Sequence, residues 1–254
     1  MDTNSPRSAV AAAVTGARHL RAARNGQDAA AAWRGERAAA VVVCDGCGAG
    51  AASEVGARLG AQLVIASLSR QLAAGVGAAD PALWQQVRED VRGVLGQLTD
   101  ALPGERAQVV HDHFLFTIVA AVAAGGEGAV WAIGDGVYAI EDRERVLGPY
   151  DDNQPPYLAY DLLGMPAPAH LETMQAPRGT IVVATDGFAE LGLAWVREDA
   201  ARYLSHPDAL RRRLAVLARS DERIEWDARR IVRTPAPLQD DGAVAIVRWA
   251  EDAS

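Results

Sequence analysis

Short apolar runs alternate along the chain with two long segments that have helical periodicity. Apolar residues recur every three or four positions in residues 53–72 and 81–102, which predicts two amphipathic helices. Residues 148–180 are rich in proline and are expected to be irregular, with a hint of strand at 157–160. Residues 189–232 are expected to be mostly helical. The segments expected to form strands are residues 29–33, 38–43, 113–122, 128–133, 137–141, 145–147, 180–184 and 242–249.

The order of these elements predicts an α+β protein built in layers. Neighbouring strands are joined by short turns, which favours antiparallel pairing. Helices grouped in pairs between blocks of strands are typical of helix layers that cover sheets. The regular alternation of strand and helix found in doubly wound folds is absent, and no break in composition marks a domain boundary, so we expect one domain over residues 1–254.

Aspartates stand at the ends of several of the predicted strands. Three strands run directly into Asp-Gly pairs at Asp45, Asp135 and Asp186, and Asp240-Asp241 precede the last strand. Asp28 opens the first strand of the pair at 29–43. Carboxylates brought together at strand ends form the oxygen-rich kind of site that hard divalent cations prefer.

A tight turn is the simpler explanation for some of these residues. Asp-Gly is common in hairpins, and the strands at 130–133 and 137–140 flank Asp135 at hairpin spacing, which favours a turn there. Asp45 and Asp186 each precede a glycine-rich or helical segment, which a hairpin explains poorly. For Asp240 and Asp241, an ordinary polar loop remains an alternative.

Composition excludes several classes of function. The chain has 254 residues, half of them apolar, and its net charge of −8 argues against binding to nucleic acid or to an acidic membrane surface. Two cysteines cannot provide a disulfide framework. No uncharged apolar run approaches the roughly 18 residues that a membrane span needs, so we expect a cytoplasmic protein.

Six motifs in order resemble the type 2C metal-dependent protein serine/threonine phosphatases, in particular the bacterial branch with a Gln-Asp-Ala opening. The resemblance extends over about residues 16–249 and includes His19-Leu20-Arg21 and the segment at 153–158. The six motifs begin at Asn25, Val43, Phe116, Ile133, Ala184 and Asp240.

The resemblance implies a four-layer α-β-β-α sandwich of two antiparallel sheets flanked by helix pairs, with two Mn²⁺ or Mg²⁺ ions at one end. A water that bridges the two ions would attack the phosphorus. By motif position, Asp45 would bridge both ions, Asp186 and Asp240 would complete the first site, and the Gly46 carbonyl would help to hold the second. Asp28 would orient a water molecule, and Asp135 matches a third, weaker metal site.

Three departures from the family pattern affect these expectations. Gln27 stands where a glutamate is frequent, and a neutral amide is a poorer metal ligand. Ala23 replaces a basic residue that grips the substrate phosphate, so Arg24 or Arg21 would have to serve. Cys47 occupies the position of a proton-donating histidine, which leaves the acid that protonates the leaving group unassigned.

The resemblance therefore implies a phosphatase that acts on phosphoserine and phosphothreonine in proteins, with a serine/threonine kinase as a family-level partner. The alternative is a catalytically weakened phosphatase-fold module that binds phosphoproteins or regulates them. A thiol redox enzyme is a third hypothesis, because Cys44 and Cys47 have C-x-x-C spacing. A dinucleotide site in the glycine-rich segment 46–50 is disfavoured because the third glycine of the required motif is missing. A zinc site formed by His111, His113 and the cysteines is disfavoured because histidines at the head of a strand are more often surface residues.

Overall fold

Two five-stranded antiparallel sheets form the centre of the protein, as the computed structural model describes it for residues 8–175 and 179–249. The first sheet has the strand order β1-β12-β9-β6-β7 and the second has the order β2-β3-β4-β5-β8. A separate hairpin pairs β10 with β11. The strands are β1 (Ser8–Val14), β2 (Ala29–Arg34), β3 (Ala38–Cys44), β4 (Ile118–Ala124), β5 (Glu127–Ile133), β6 (Gly136–Ile140), β7 (Arg143–Leu147), β8 (His170–Gln175), β9 (Thr180–Ala184), β10 (Asp221–Glu225), β11 (Arg230–Thr234) and β12 (Gly242–Arg248).

Helices cover the outer face of each sheet. Three of them lie over the second sheet and three lie over the first. Short 3₁₀ segments occur at Asp151–Asn153, Leu158–Leu163 and Asp186–Phe188. The α-helices are α1 (Ala17–Arg21), α2 (Ser53–Ala73), α3 (Pro81–Ala101), α4 (Arg106–His113), α5 (Ala194–Glu198), α6 (Ala200–Ser205) and α7 (Pro207–Leu217).

Alternation along the strands produces three apolar layers. In β3, Val42 faces helices α2 and α3, whereas Val41 and Val43 pack against the first sheet. The inner layer also contains Val183 and Val247 from the opposite sheet. This packing, with one face of each strand against helices and the other against the second sheet, confirms the predicted α+β sandwich.

Several predicted boundaries were wrong. The strand predicted at 113–122 begins only at Ile118, because α4 occupies the preceding residues. The helical prediction for 189–232 fails after Leu217, where alternating apolar and charged residues form the hairpin of β10 and β11. The hint of strand at 157–160 is a 3₁₀ helix, and strands β1 and β8 had not been predicted.

The hairpin predicted around Asp135 is also wrong. Strand β5 belongs to the second sheet and β6 to the first, so Asp135 lies on a crossover between the sheets. Gly134 and Gly136 flank it at φ values of 93° and 144°, which favour glycine. A Cβ at Gly136 would also lie 2.7 Å from the Val119 side chain, so only glycine lets the chain pass between the layers here.

Among residues 8–175 and 179–249, no helix combines the length and the apolar character that crossing a membrane requires.

Candidate active site

The strand ends that carry the predicted aspartates meet at one end of the sandwich. Pairing of Ala29 with Cys44 in β2 and β3 places Asp28 beside Asp45 in the second sheet. Pairing of β9 with β12 continues beyond Ala184, where the Thr185 backbone N–H donates to the Ala243 carbonyl at 3.0 Å. Asp186 and the Asp240-Asp241 pair are therefore neighbours at the same end of the first sheet.

A hydrogen-bonded threonine joins the two sheets at this end. The Thr185 hydroxyl donates to Asp28 Oδ2 at 2.6 Å and accepts from the Ala243 backbone N–H at 2.9 Å. Both Thr185 and Asp28 are buried. Asp28 of the second sheet is thus fixed relative to strands β9 and β12 of the first.

The carboxyl groups in this region perturb one another. Burial raises the pKa of Asp28 to about 8; the hydrogen bond from Thr185 opposes this shift, and the charges of Asp241 and Asp186 add to it. Burial, followed by the charges of Asp28 and Asp186, also raises the pKa of Asp45 well above its usual range. Burial and then Asp186 raise the pKa of Asp135 to about 6. Four carboxyl groups from distant parts of the chain are therefore close enough to interact.

A cleft of about 450 Å³ opens over three of these carboxyl groups. Its wall carries tyrosines and a histidine in addition to the aspartates. The residues that line it are Asp45, Gly46, Cys47, Gly48, Ala49, His111, Leu115, Thr117, Asp135, Asp152, Gln154, Pro155, Tyr157, Tyr160 and Asp186.

Backbone contacts fix the loop that carries Asp45. The Asp45 carbonyl accepts from the Thr117 N–H at 2.8 Å, and the Gly46 N–H donates to the Gln27 carbonyl at 3.2 Å. A Cβ at Gly46 would lie 2.9 Å from that same carbonyl and 3.0 Å from Ser53. The loop can approach Gln27 this closely only because residue 46 is glycine.

The Gln27 side chain supports this loop from below. Its Nε2 donates to Ser53 Oγ at 2.7 Å and to the Cys47 carbonyl at 3.4 Å, and the residue is only 5% exposed. Its amide nitrogen thus ties the segment before β2 to the loop that follows Asp45.

The two adjacent aspartates before β12 have different environments. The Asp240 side chain is 58% exposed and lies 3.7 Å from the Arg18 guanidinium. Asp241 is only 4% exposed, and its carboxylate accepts from the backbone N–H groups of Gly16 at 2.7 Å and Gln27 at 2.6 Å. Asp241 Oδ2 also lies 2.7 Å from Nδ1 of His19.

Sequence reasoning missed the role of Asp241 and His19. Ligand atoms of His19, Asp240 and Asp241 lie within 4.8 Å of one another, yet both Asp241 oxygens already accept hydrogen bonds from the protein. Two consecutive aspartates gave no indication of which side chain points inward. The only sequence signal was the His19-Leu20-Arg21 segment, whose partner could not be identified.

The two arginines expected at the phosphate lie elsewhere. Arg21 donates to Gln239 Oε1 at 3.2 Å, and Arg24 is exposed and helps to lower the pKa of Glu54. Neither is among the residues that line the cleft. The predicted site residues that the structure brings together are therefore Asp28, Asp45, Gly46, Asp135 and Asp186. Asp240 precedes β12 at the same end of the first sheet, with its exposed side chain beside Arg18.

The two cysteines have different environments. Cys44 is fully buried and Cys47 lines the cleft, and both are free thiols. Within the part of the chain that the structure describes, the group of His19, Asp240 and Asp241 is the one with metal-ligand spacing, and it includes neither cysteine. The zinc hypothesis of His111, His113 and the cysteines thus finds no support.

Comparison with known proteins agrees with this architecture. No curated protein sequence matches the chain. The catalytic domain of the serine/threonine protein phosphatase PstP, solved in complex with two manganese ions, superposes with a TM-score of 0.57 at 16% identity over 97% of this chain and 99% of that one. Stp1 from Staphylococcus aureus gives a TM-score of 0.63 at 14% identity, with coverage of 99% and 98%. PppA, a regulatory component of the type VI secretion system of Pseudomonas aeruginosa, gives 0.54 at 15% identity, with coverage of 96% and 98%.

At such low sequence identities the structural matches establish only the shared fold. The family is established by a match of the sequence itself. The sequence model of the family described as Protein phosphatase 2C matches residues 15–226, which is most of the chain. This span includes the strand ends with Asp28, Asp45, Asp135 and Asp186. The chain therefore belongs to the protein phosphatase 2C family of phosphoprotein phosphatases.

Proposed function

We propose that this phosphatase hydrolyses phosphoserine and phosphothreonine in proteins, with Mn²⁺ or Mg²⁺ ions held at the carboxylate cluster. One observation carries the proposal: Asp28, Asp45 and Asp186 come from both sheets and interact with one another, and Asp45 and Asp186 line one open cleft. Residues 16–249 would form the single catalytic domain.

The donor set fits hard divalent cations. Carboxylates crowded together raise one another's pKa, and a bound cation would relieve that repulsion. Oxygen ligands of this kind suit Mg²⁺ and Mn²⁺. Asp45, the Gly46 carbonyl, Asp186 and Asp240 would hold two ions, and Asp135 would serve a third, weaker site. The manganese ions in the structure of PstP support this assignment.

The mechanism requires charge neutralisation at the phosphate and a correctly placed water molecule. When bound, the cations supply both the neutralisation and the activation of water. Asp28 would orient that water, because its position is fixed by the hydrogen bond from Thr185. Gln27 and Thr117 would hold the Asp45 loop in register through the contacts described above. The water oxygen bonds to phosphorus as the bond to the serine or threonine oxygen breaks, which gives phosphate and a free hydroxyl group.

The cleft wall offers no arginine to a substrate phosphate among the described residues that line it. Arg18, Arg21 and Arg24 belong to the segment before β2. A phosphorylated protein is the expected substrate, and the serine/threonine kinase that produces it is the proposed functional partner.

The second candidate function is a phosphoprotein-binding module with a weakened site. Gln27 and Ala23 favour it, since the first is committed to Ser53 and the second carries no charge. Such a module would still recognise phosphoproteins but would not turn them over.

Hydrolysis assays with a matched pair of variants test the proposal. We expect Mn²⁺-dependent hydrolysis of p-nitrophenyl phosphate and of a phosphothreonine peptide by the wild type, and a loss of at least about 100-fold in Asp45→Asn. Asp142→Asn is the control, because Asp142 is exposed and lies outside the cleft lining. If the wild type and Asp45→Asn are equally inactive and the phosphopeptide still binds, the result would favour the binding module.

A further inference from the structure

We propose that His111 is the acid that protonates the leaving oxygen of the substrate. This inference rests on the proposed function, because it concerns the same hydrolysis. Hydrolysis releases the serine or threonine side chain as an alkoxide, a very poor leaving group unless it receives a proton as the bond to phosphorus breaks. A positioned general acid contributes typically 10²–10⁴-fold to such a step.

Position is the first argument. His111 lies in the last turn of α4 and lines the cleft together with Asp45, Asp135 and Asp186. The cleft that His111 shares with these aspartates has a volume of about 450 Å³, so a phosphorylated side chain bound at the aspartates would occupy the same cavity as the His111 ring. The His111 side chain is 48% exposed, which leaves its ring accessible to a substrate.

Backbone contacts hold α4 to the loop that carries Asp45. The Cys47 N–H donates to the Leu115 carbonyl at 2.9 Å, and the Ala52 N–H donates to the Asp112 carbonyl at 2.8 Å. A Cβ at Gly50 would lie 2.9 Å from the His111 carbonyl itself. His111 is thus fixed relative to Asp45, although the two residues are 66 positions apart in the sequence.

The neighbouring carboxylate orients the His111 ring. Nδ1 of His111 lies 3.3 Å from Asp112 Oδ1. This contact leaves the other ring nitrogen directed away from Asp112. An imidazole also exchanges protons near neutral pH, as an acid in this role requires.

The two tyrosines of the cleft wall suit the task less well. The Tyr157 hydroxyl is hydrogen-bonded to the Cys47 thiol, and burial raises the pKa of Tyr157 far above its usual range. Burial also raises the pKa of Tyr160. A phenol that gives up its proton so reluctantly protonates an alkoxide less effectively than an imidazolium does.

The His111 imidazolium would give its proton to the departing substrate oxygen. The water oxygen forms a bond to phosphorus, the bond between phosphorus and the substrate oxygen breaks, and the electron pair left on the substrate oxygen takes the proton. The products are phosphate and the free hydroxyl of the substrate, and the neutral imidazole regains a proton from solvent.

The dependence on the leaving group tests this role. In His111→Gln we expect kcat/KM to fall at least about 100-fold for a phosphoserine peptide but less than about 5-fold for p-nitrophenyl phosphate, because p-nitrophenolate departs without a proton. His113→Gln, in the same helical turn but outside the cleft lining, should change neither rate. Mn²⁺ binding by His111→Gln, followed by titration calorimetry, should match that of the wild type.

The outcomes separate the two proposals. Wild-type protein that hydrolyses neither substrate overturns both of them. Active wild type with equal losses on both substrates in His111→Gln, or with no loss on either, overturns the role of His111 and leaves the proposed function standing. Loss of Mn²⁺ binding in His111→Gln also overturns it, since that result would assign the residue to the metal site.

Discussion

Asp241, buried beside an exposed acidic neighbour, allows a sharp test of what holds this end of the protein together. Its carboxylate receives three contacts: Oδ1 accepts from the Gly16 N–H, and Oδ2 accepts from the Gln27 N–H and lies 2.7 Å from His19 Nδ1. These contacts tie the segment before β2 to the start of β12.

The substitution Asp241→Asn keeps the volume and removes the charge. Its amide NH₂ group must face at least one of the two buried backbone N–H donors, because these donors address different oxygens. Hydrogen bonds to a charged group are worth about 1.5–3 kcal/mol each, so losing one or two lowers the free energy of unfolding by about 2–5 kcal/mol. For a protein of this size, the melting temperature should fall by about 5–15 °C.

Asp240→Asn is the matched control. Asp240 is exposed, and its ion pair with Arg18 at 3.7 Å contributes at most about 1 kcal/mol. Both variants should be unfolded with urea in excess chelator, so that metal binding does not contribute. Equal destabilisation by the two substitutions, or a loss below about 1 kcal/mol in Asp241→Asn, would refute the reasoning.

Three further predictions concern the core of the site and its surroundings. The pKa of Asp28 is about 8 in the folded protein against 3.8 when unperturbed, so the folded chain retains a proton that the unfolded chain loses. In excess chelator the melting temperature should therefore fall as pH rises from about 5 to 8. Added Mn²⁺ should raise the melting temperature most near pH 8. A melting temperature that changes neither with pH nor with Mn²⁺ contradicts this prediction. Thr185→Val removes the hydroxyl that bonds to Asp28 and to a backbone N–H of β12, and urea titration should show a loss of about 2–4 kcal/mol. Gly60→Ala would place a Cβ 2.3 Å from the buried Phe116 ring and should lower the free energy of unfolding by about 1–3 kcal/mol. Gly93→Ala, whose Cβ would have nothing within 4 Å, should raise the free energy of unfolding by up to about 1 kcal/mol. Melting temperatures of the two variants that shift in the same direction would contradict this pair of predictions.

The sequence predicted the layered α+β architecture because strand and helix periodicities are local properties. The helices at 53–73 and 81–101 and the apolar strand at 38–44 were visible in the spacing of their side chains. The order of the motifs also identified the family that the match over residues 15–226 establishes.

Other features depended on contacts between distant segments. Asp135 has the sequence surroundings of a hairpin turn, yet the chain crosses there from one sheet to the other, because which sheet a strand joins is decided by its partners. The exposed hairpin of β10 and β11 had an alternation too short to stand out within a helical region.

The chain by itself determined which residues could form the site: aspartates at the ends of apolar strands, with glycine after three of them. Only the tertiary structure decided that Asp241 rather than Asp240 turns inward, and that His111 from a separate helix joins the same cleft. The physical reason is that burial and hydrogen-bond partners arise when distant segments pack together, and two identical neighbouring side chains differ only in the partners that packing gives them.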